Sequence, residues 1–126
     1  MLGQEELFTA LNIESIKAVV DPYNDGCAIW MDRIIPADFS GLKSINCYIT
    51  AEYNPNLEID YYRYSASCRA QTSNESLTIA KAVIDGINRV WYSPGYFISC
   101  KLLPVIPPMD ERDNYNSPVE ILIKKR

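Results

Sequence analysis

Two neighbouring segments in which apolar and polar residues alternate constrain the fold of this chain more than any other feature. In the first, KSINCYITAEY, the alternation runs from Ile45 to Tyr53. In the second, YYRYSASCRA, it runs from Tyr61 to Ala70. A period of two is typical of a strand with one buried face. Because Asn54-Pro55-Asn56 supplies turn residues between the two segments, we predict a long antiparallel hairpin.

The same alternation divides the side chains of the hairpin between two faces. We assign to the buried face Ile45, Cys47, Ile49, Ala51, Tyr53, Tyr62, Tyr64, Ala66, Cys68 and Ala70. On the opposite face, Tyr48 and Tyr61 place amphipathic rings near Arg63 and Arg69. Such rings on a half-exposed sheet favour a protein interface. Ordinary solvent-exposed surface and base stacking on single-stranded nucleic acid are the alternatives.

A long helix is predicted directly after the hairpin. The segment Thr72-Ser73-Asn74-Glu75 has the form of a capping box, in which Thr72 caps the first turn and Glu75 reaches back. We expect the helix to run from about Ser73 to Val90. Gly86 inside it costs about 1 kcal/mol relative to alanine, which indicates a close approach to a neighbouring element. The predicted apolar stripe, wide enough to cover a sheet, consists of Leu77, Ala80, Val83, Ile84, Ile87 and Trp91.

The remaining elements are shorter, and their order predicts the fold class. They are a helix at Gln4–Leu11, a strand at Cys27–Trp30, a strand from Tyr96 to Leu103, a polar loop from Pro104 to Pro118 and a strand at Val119–Lys124. Without repeated β-α-β units, this order predicts an α+β fold. We expect a mainly antiparallel sheet with a long hairpin, one long helix on one face and a short N-terminal helix. At 126 residues the chain is expected to form one domain, residues 1–126.

Charge and hydropathy narrow the classes of partner. The net charge is −4 and the pI about 4.8, which argues against a general nucleic-acid binder. The N-terminus has no basic start followed by an apolar run, and no segment approaches the roughly 20 apolar residues of a membrane helix. We therefore expect neither a signal peptide nor a membrane anchor, and folding in the cytosol.

No catalytic, metal or cofactor site is predicted. The chain has no histidine and no glycine-rich phosphate loop. No two of its four cysteines lie within four residues, so we interpret Cys47, Cys68 and Cys100 as buried free thiols and expect no metal. We interpret the loop acids as solvated. The loop acids are Glu58, Asp60, Asp110, Glu111 and Asp113, and Arg112 lies among the last three of them.

The order of elements resembles the tail-terminator, or tail-completion, proteins of long-tailed phages. The resemblance covers about Ile45 to Arg126. It rests on a tyrosine-rich hairpin ending in YYRYSASCRAQ, a capped helix directly after it (TSNESLTIAKAVIDGINR), and a closing loop and strand (ERDNYNSPVEILIKKR).

The resemblance implies a virion protein of the tail or neck, assembled in the host cytoplasm. Such proteins form a ring, usually a hexamer, that ends growth of the tail tube and joins it to the head connector. DNA would pass through the lumen without specific binding, which an acidic chain permits. The loops Glu52 to Asp60 and Pro107 to Pro118 would be the docking segments. The candidate interface residues are therefore Tyr48, Tyr61, Arg63 and Arg69 of the hairpin and, in the loops, Glu58, Asp60, Asp110, Glu111, Arg112 and Asp113. The alternatives are a head-completion or stopper protein of the neck, and a small cellular ligand-binding or enzymatic α+β domain.

Overall fold

Three helices and eight strands make up the part of the chain that the computed structural model describes, residues 4–24, 26–31, 35–53, 60–92, 95–109 and 114–125. The helices are α1 (Gln4–Leu11), α2 (Glu14–Lys17) and α3 (Ser73–Ile87). The strands are β1 (Pro22–Tyr23), β2 (Gly26–Cys27), β3 (Ile29–Trp30), β4 (Ser44–Tyr53), β5 (Asp60–Ala70), β6 (Val90–Tyr92), β7 (Tyr96–Leu102) and β8 (Tyr115–Lys125).

A six-stranded sheet with the order β3-β4-β5-β8-β7-β6 organises the fold. Strands β4 and β5 form the predicted hairpin, and β8 lies between β5 and β7. The α+β class is confirmed, but the sheet is mixed, because β3 pairs parallel with β4 while the other described pairings are antiparallel. Strands β1 and β2 form a separate two-stranded ribbon.

One face of the sheet is covered by the helices, as predicted. The side chains that this face contributes to the core include Ile45, Cys47, Tyr62, Tyr64, Ala66, Cys68, Ala70, Ile98, Val119, Ile121 and Ile123. Helix α3 contributes Ile79, Ala80, Val83 and Ile87, and α1 contributes Leu7, Ala10 and Leu11. Burying these apolar side chains supplies the main driving force for folding.

The start of α3 is fixed by the cap and by one buried polar contact. The Glu75 backbone N–H donates to Thr72 Oγ1 at 3.2 Å, which confirms the predicted cap. One turn on, the hydroxyl oxygens of Ser76 and Ser117 lie 2.8 Å apart, and both residues are fully buried. Ser76 Oγ also lies 2.9 Å from the Ser73 carbonyl oxygen, to which it can donate its single proton. We therefore assign the proton between the two hydroxyls to Ser117.

The close approach predicted at Gly86 is present. A Cβ atom at this position would lie 2.8 Å from Cδ1 of Ile13 and 3.2 Å from Cδ1 of Ile16. The missing side chain therefore lets α2 pack directly on α3. This contact positions α2 in the helical layer.

Two predictions about element boundaries were wrong, and the hairpin contains a bulge that was not predicted. A bulge between Ile49 and Ala51 shifts the register, so that Ala51 pairs with Arg63. The side chains of Ala51 and Tyr53 lie outside the described part, so their assignment to the buried face stays a prediction. Helix α3 ends at Ile87, and Arg89 adopts a φ of 59°, which turns the chain into β6. The predicted loop ending at Pro118 is strand from Tyr115 onward, because its backbone pairs with β5.

Candidate interface on the uncovered sheet face

The face of the sheet opposite the helices carries the candidate site. We call its exposed and half-buried part the open face. Its members are Tyr48, Arg63, Ser65, Trp91, Phe97, Ser99, Lys101, Glu120, Leu122 and Lys124. They share this face because residues opposite each other in adjacent strands point the same way. Towards one end of the sheet, Ser44, Asn46, Ser67 and Pro118 are buried on this side, which limits the open face there.

Charged side chains lie near the middle of the open face. Arg63 Nε lies 3.5 Å from Glu120 Oε1, and the two side chains are 51% and 36% exposed. Lys101 occupies the position directly opposite Glu120 in the neighbouring strand, so the carboxylate has a cation on each side. An exposed ion pair of this kind adds less than about 1 kcal/mol to stability. The fold therefore gains little from keeping these cations here.

An aromatic pair lies at the β6 edge of the same face. The rings of Trp91 and Phe97 have centroids 5.0 Å apart and are tilted by 47°. Trp91 is 55% exposed. Lys124 of β8 lies directly opposite Phe97 of β7 on one side and opposite Tyr61 of β5 on the other. A lysine is therefore the next residue across the sheet from the aromatic pair. Exposed tryptophan beside cations is typical of protein interfaces, where tryptophan and arginine dominate binding energy.

The sequence prediction of Trp91 was wrong. We predicted it in the apolar stripe of the helix, but it belongs to β6 and lies on the other side of the sheet. The tight turn at Asn88 and Arg89 separates it from α3. The rest of the stripe is partly confirmed, since Ala80, Val83 and Ile87 are buried, while Leu77 and Ile84 are half-buried.

The candidate interface residues fall into three groups. Tyr48 and Arg63 lie on the open face as predicted, whereas Arg69 lies on the same side of the sheet beyond the buried Ser67. Asp60 and Tyr61 belong to β5, and their side chains lie outside the described part. The remaining candidates lie outside the described residues; these are Glu58, Asp110, Glu111, Arg112 and Asp113.

Several open-face residues were missed by sequence reasoning. Phe97 and Lys101 alternate with buried residues in β7, and Glu120 and Lys124 do so in β8. This period of two was visible in the sequence. Their closeness to Arg63 was not, because it depends on β8 pairing with both β5 and β7.

Buried thiols form the other group of chemically interesting side chains. Cys47 and Cys68 are fully buried, as predicted, and Cys100 is half-buried. Burial raises the pKa of Cys47 and of Cys100 to about 12, and it raises that of Cys68 well above the ordinary value. These thiols stay protonated at neutral pH, so they are poor nucleophiles.

A second polar group, near the two-stranded ribbon, holds a loop. Asp21 Oδ2 accepts hydrogen bonds from the backbone N–H groups of Leu42 and Lys43 at 2.6 and 2.9 Å. A Cβ at Gly41 would lie 2.6 Å from the Phe39 ring and 2.8 Å from that same oxygen, so a larger residue there would have to displace both side chains. The Asp21 carboxylate thus has a structural role in fastening the chain before β4.

Within the described ranges, no three histidine, cysteine, aspartate or glutamate side chains are grouped so that they could hold a metal ion. Among the same residues, no helix is both long and apolar enough to cross a membrane. Comparison with protein-family models gives no match for this chain, and comparison with curated proteins gives none either.

Proposed function

We propose that the chain is a structural virion protein that forms a ring at the end of a phage tail tube, ends tube growth and joins the tail to the head connector. The resemblance of its sequence to tail-terminator proteins supplies the specific role. In this role it is not an enzyme and needs no cofactor. Its partners are copies of itself, the tail tube protein and a head-completion or connector protein. It acts in the tail or neck of the virion.

The observation that carries the proposal is the contrast between the two faces of the sheet. The helical side is closed by a continuous apolar core, whereas the open face presents Trp91, Arg63 and Lys101 to solvent. A tryptophan that another protein covers is among the side chains that contribute most to binding energy. A ring-forming protein requires such a surface on every copy.

The protonated state of the thiols supports a structural role over a catalytic one. A nucleophilic cysteine needs a lowered pKa and partial exposure, and Cys47 and Cys68 have the opposite properties. Their burial instead suits small apolar side chains that fill the space between the sheet and α3.

The test is to measure the mass of the purified protein in solution, alone and with tail tubes of its own virion. We expect a ring of defined mass that binds to tube ends in electron micrographs and blocks further addition of tube protein. Bovine serum albumin at the same concentration is the negative control. A monomer that ignores tubes at every concentration would refute the proposal. Loss of the protein from infected cells should give tails of uncontrolled length, whereas heads that leak DNA would indicate a stopper.

A further inference from the structure

The open face and the helical layer carry opposite charge. On the open face, Arg63, Lys101 and Lys124 outnumber Glu120, which gives a net charge of +2. The chain as a whole has a net charge of −4. The positive charge of the open face is therefore a local departure from an acidic molecule.

The helices that cover the other face carry a net negative charge of their own. Glu75 pairs with Lys43 at 3.4 Å, so these two side chains are set aside. The other charged side chains described on α1, α2 and α3 are Glu5, Glu6, Glu14, Asp85, Lys17 and Lys81. Four acids against two lysines give the helical layer a net charge of −2. Glu14 pairs with Lys17 at 3.4 Å but is 95% exposed, and Glu5 and Asp85 are also exposed.

Each of the two surfaces also has an exposed aromatic side chain. Phe8, on α1, is 43% exposed although its neighbour Leu7 is fully buried. Trp91 is 55% exposed on the open face. An aromatic anchor together with complementary charge is the combination that gives an interface both affinity and register.

We propose that a second copy of this chain docks its helical layer onto the open face, so that copies associate front to back. This inference rests on the proposed function, because that function requires contact between copies. A contact between two different surfaces is heterologous, and it closes into a ring when the rotation between copies is a simple fraction of a turn. Two open faces would repel each other, so a face-to-face dimer is disfavoured.

Single-stranded nucleic acid is the competing occupant of the open face, since aromatic rings and cations also bind it. Two observations favour a second copy. One of the three cations, Arg63, already pairs with Glu120, and phosphates would meet repulsion from an acidic chain. The helical layer, by contrast, has a net charge that is equal and opposite to that of the open face.

The experiment reverses charge on each surface separately and then combines the variants. One variant carries Arg63→Glu and Lys101→Glu on the open face. The other carries Glu14→Lys and Asp85→Lys on α2 and α3. Self-association of each is measured by sedimentation velocity over a range of concentrations. We expect each variant alone to have a dissociation constant at least about tenfold above that of the unchanged chain.

The equimolar mixture is the decisive sample. In the mixture, the acidic open face of one variant meets the basic helical layer of the other, and the two unchanged surfaces also match. We therefore expect assembly to return in the mixture. The control is Arg89→Glu in the turn between α3 and β6, which makes the same charge reversal per residue at a single position outside both surfaces. It should change the dissociation constant by less than about threefold. Unfolding midpoints check that every variant is folded.

Specific outcomes would overturn the inference. A monomeric unchanged chain, variants that assemble normally, or a mixture that stays dissociated would each do so. If the unchanged chain is monomeric and the open-face variant alone loses binding to a single-stranded oligonucleotide, nucleic acid is the occupant. If the variants still cap tail tubes as rings, the front-to-back contact is wrong but the proposed function stands. If the reversal pattern holds and tubes are ignored, the contact stands and the tail function is wrong.

Discussion

The buried contact between Ser76 and Ser117 gives the sharpest prediction about stability. Ser76 Oγ donates to the Ser73 carbonyl, so it can only accept from Ser117. Ser76→Ala removes the acceptor of the Ser117 hydroxyl and leaves a fully buried donor unpaired. Leaving such a group unsatisfied costs about 1 to 3 kcal/mol. The better helix propensity of alanine returns about 0.5 kcal/mol of this.

Ser117→Ala has a milder consequence. Ser76 keeps its donated bond to Ser73 and loses only a donor to its oxygen, so we expect a cost of about 1 kcal/mol. In the double variant neither hydroxyl remains to be left unpaired. The double variant should therefore lose about 1 kcal/mol less than the two single variants together.

Urea unfolding monitored by tryptophan fluorescence measures the four free energies of the cycle, with the slope of the transition checked for constancy. A matched control is Ser99→Ala, because Ser99 lies half-buried on the open face and is no part of this contact. It should change the unfolding free energy by less than about 0.5 kcal/mol. Strictly additive losses from Ser76→Ala and Ser117→Ala would refute the coupling, and a larger loss from Ser117→Ala than from Ser76→Ala would refute the proton assignment.

Three further predictions concern the thiols, the helix contact and the open face. Because burial raises the folded-state pKa of Cys47 and Cys100 from 9 to about 12, the stability they contribute is complete below pH 9 and is lost as the pH rises towards 12. Each thiol should lower the free energy of unfolding by about 1 kcal/mol at pH 10. Cys47→Ala should therefore make the free energy of unfolding, measured with urea, depend less on pH between 8 and 10. An unchanged dependence on pH would contradict this. Gly86→Ala should leave the stability nearly unchanged, because a gain of about 1 kcal/mol in helix propensity is offset by the displacement of Ile13. Gly86→Val should lower the stability by about 1 to 3 kcal/mol, measured by thermal unfolding. Equal effects of the two variants would refute the close contact. Trp91→Ala should weaken self-association about tenfold in sedimentation while changing stability by less than about 1 kcal/mol; the reverse pattern would make Trp91 a core residue.

The sequence predicted best where one periodicity ran without interruption. Alternation from Tyr62 to Ala70 fixed both the strand and its buried face, because a single slip in register would expose the whole apolar set. The capping box at Thr72 and Glu75 located the start of α3 to the residue. The N-terminal helix was likewise predicted at its observed bounds, Gln4–Leu11.

Prediction failed where tertiary pairing overrode local pattern. The bulge after Ile49 arises in the pairing with β5, so the alternation alone gives no sign of it. Trp91 continues the helical period, yet the chain turns at Arg89 and pairs β6 with β7. Proline is typical of loops, so we predicted Pro118 at the end of a loop. It lies within β8 instead, where its carbonyl oxygen accepts a hydrogen bond from the Leu103 N–H. The open face could not be assembled from sequence, since it requires the strand order.

The central place of β8 has a consequence for how the protein is made. Strand β8 pairs with β5 on one side and with β7 on the other, and both of these strands are synthesised before it. Until residues 115–125 leave the ribosome, β5 has one unsatisfied edge along eleven residues, and an edge of this kind recruits other chains. The six-stranded sheet is therefore completed only after β8 has emerged. Translation pauses shortly before residue 115 should increase aggregation more than pauses anywhere earlier.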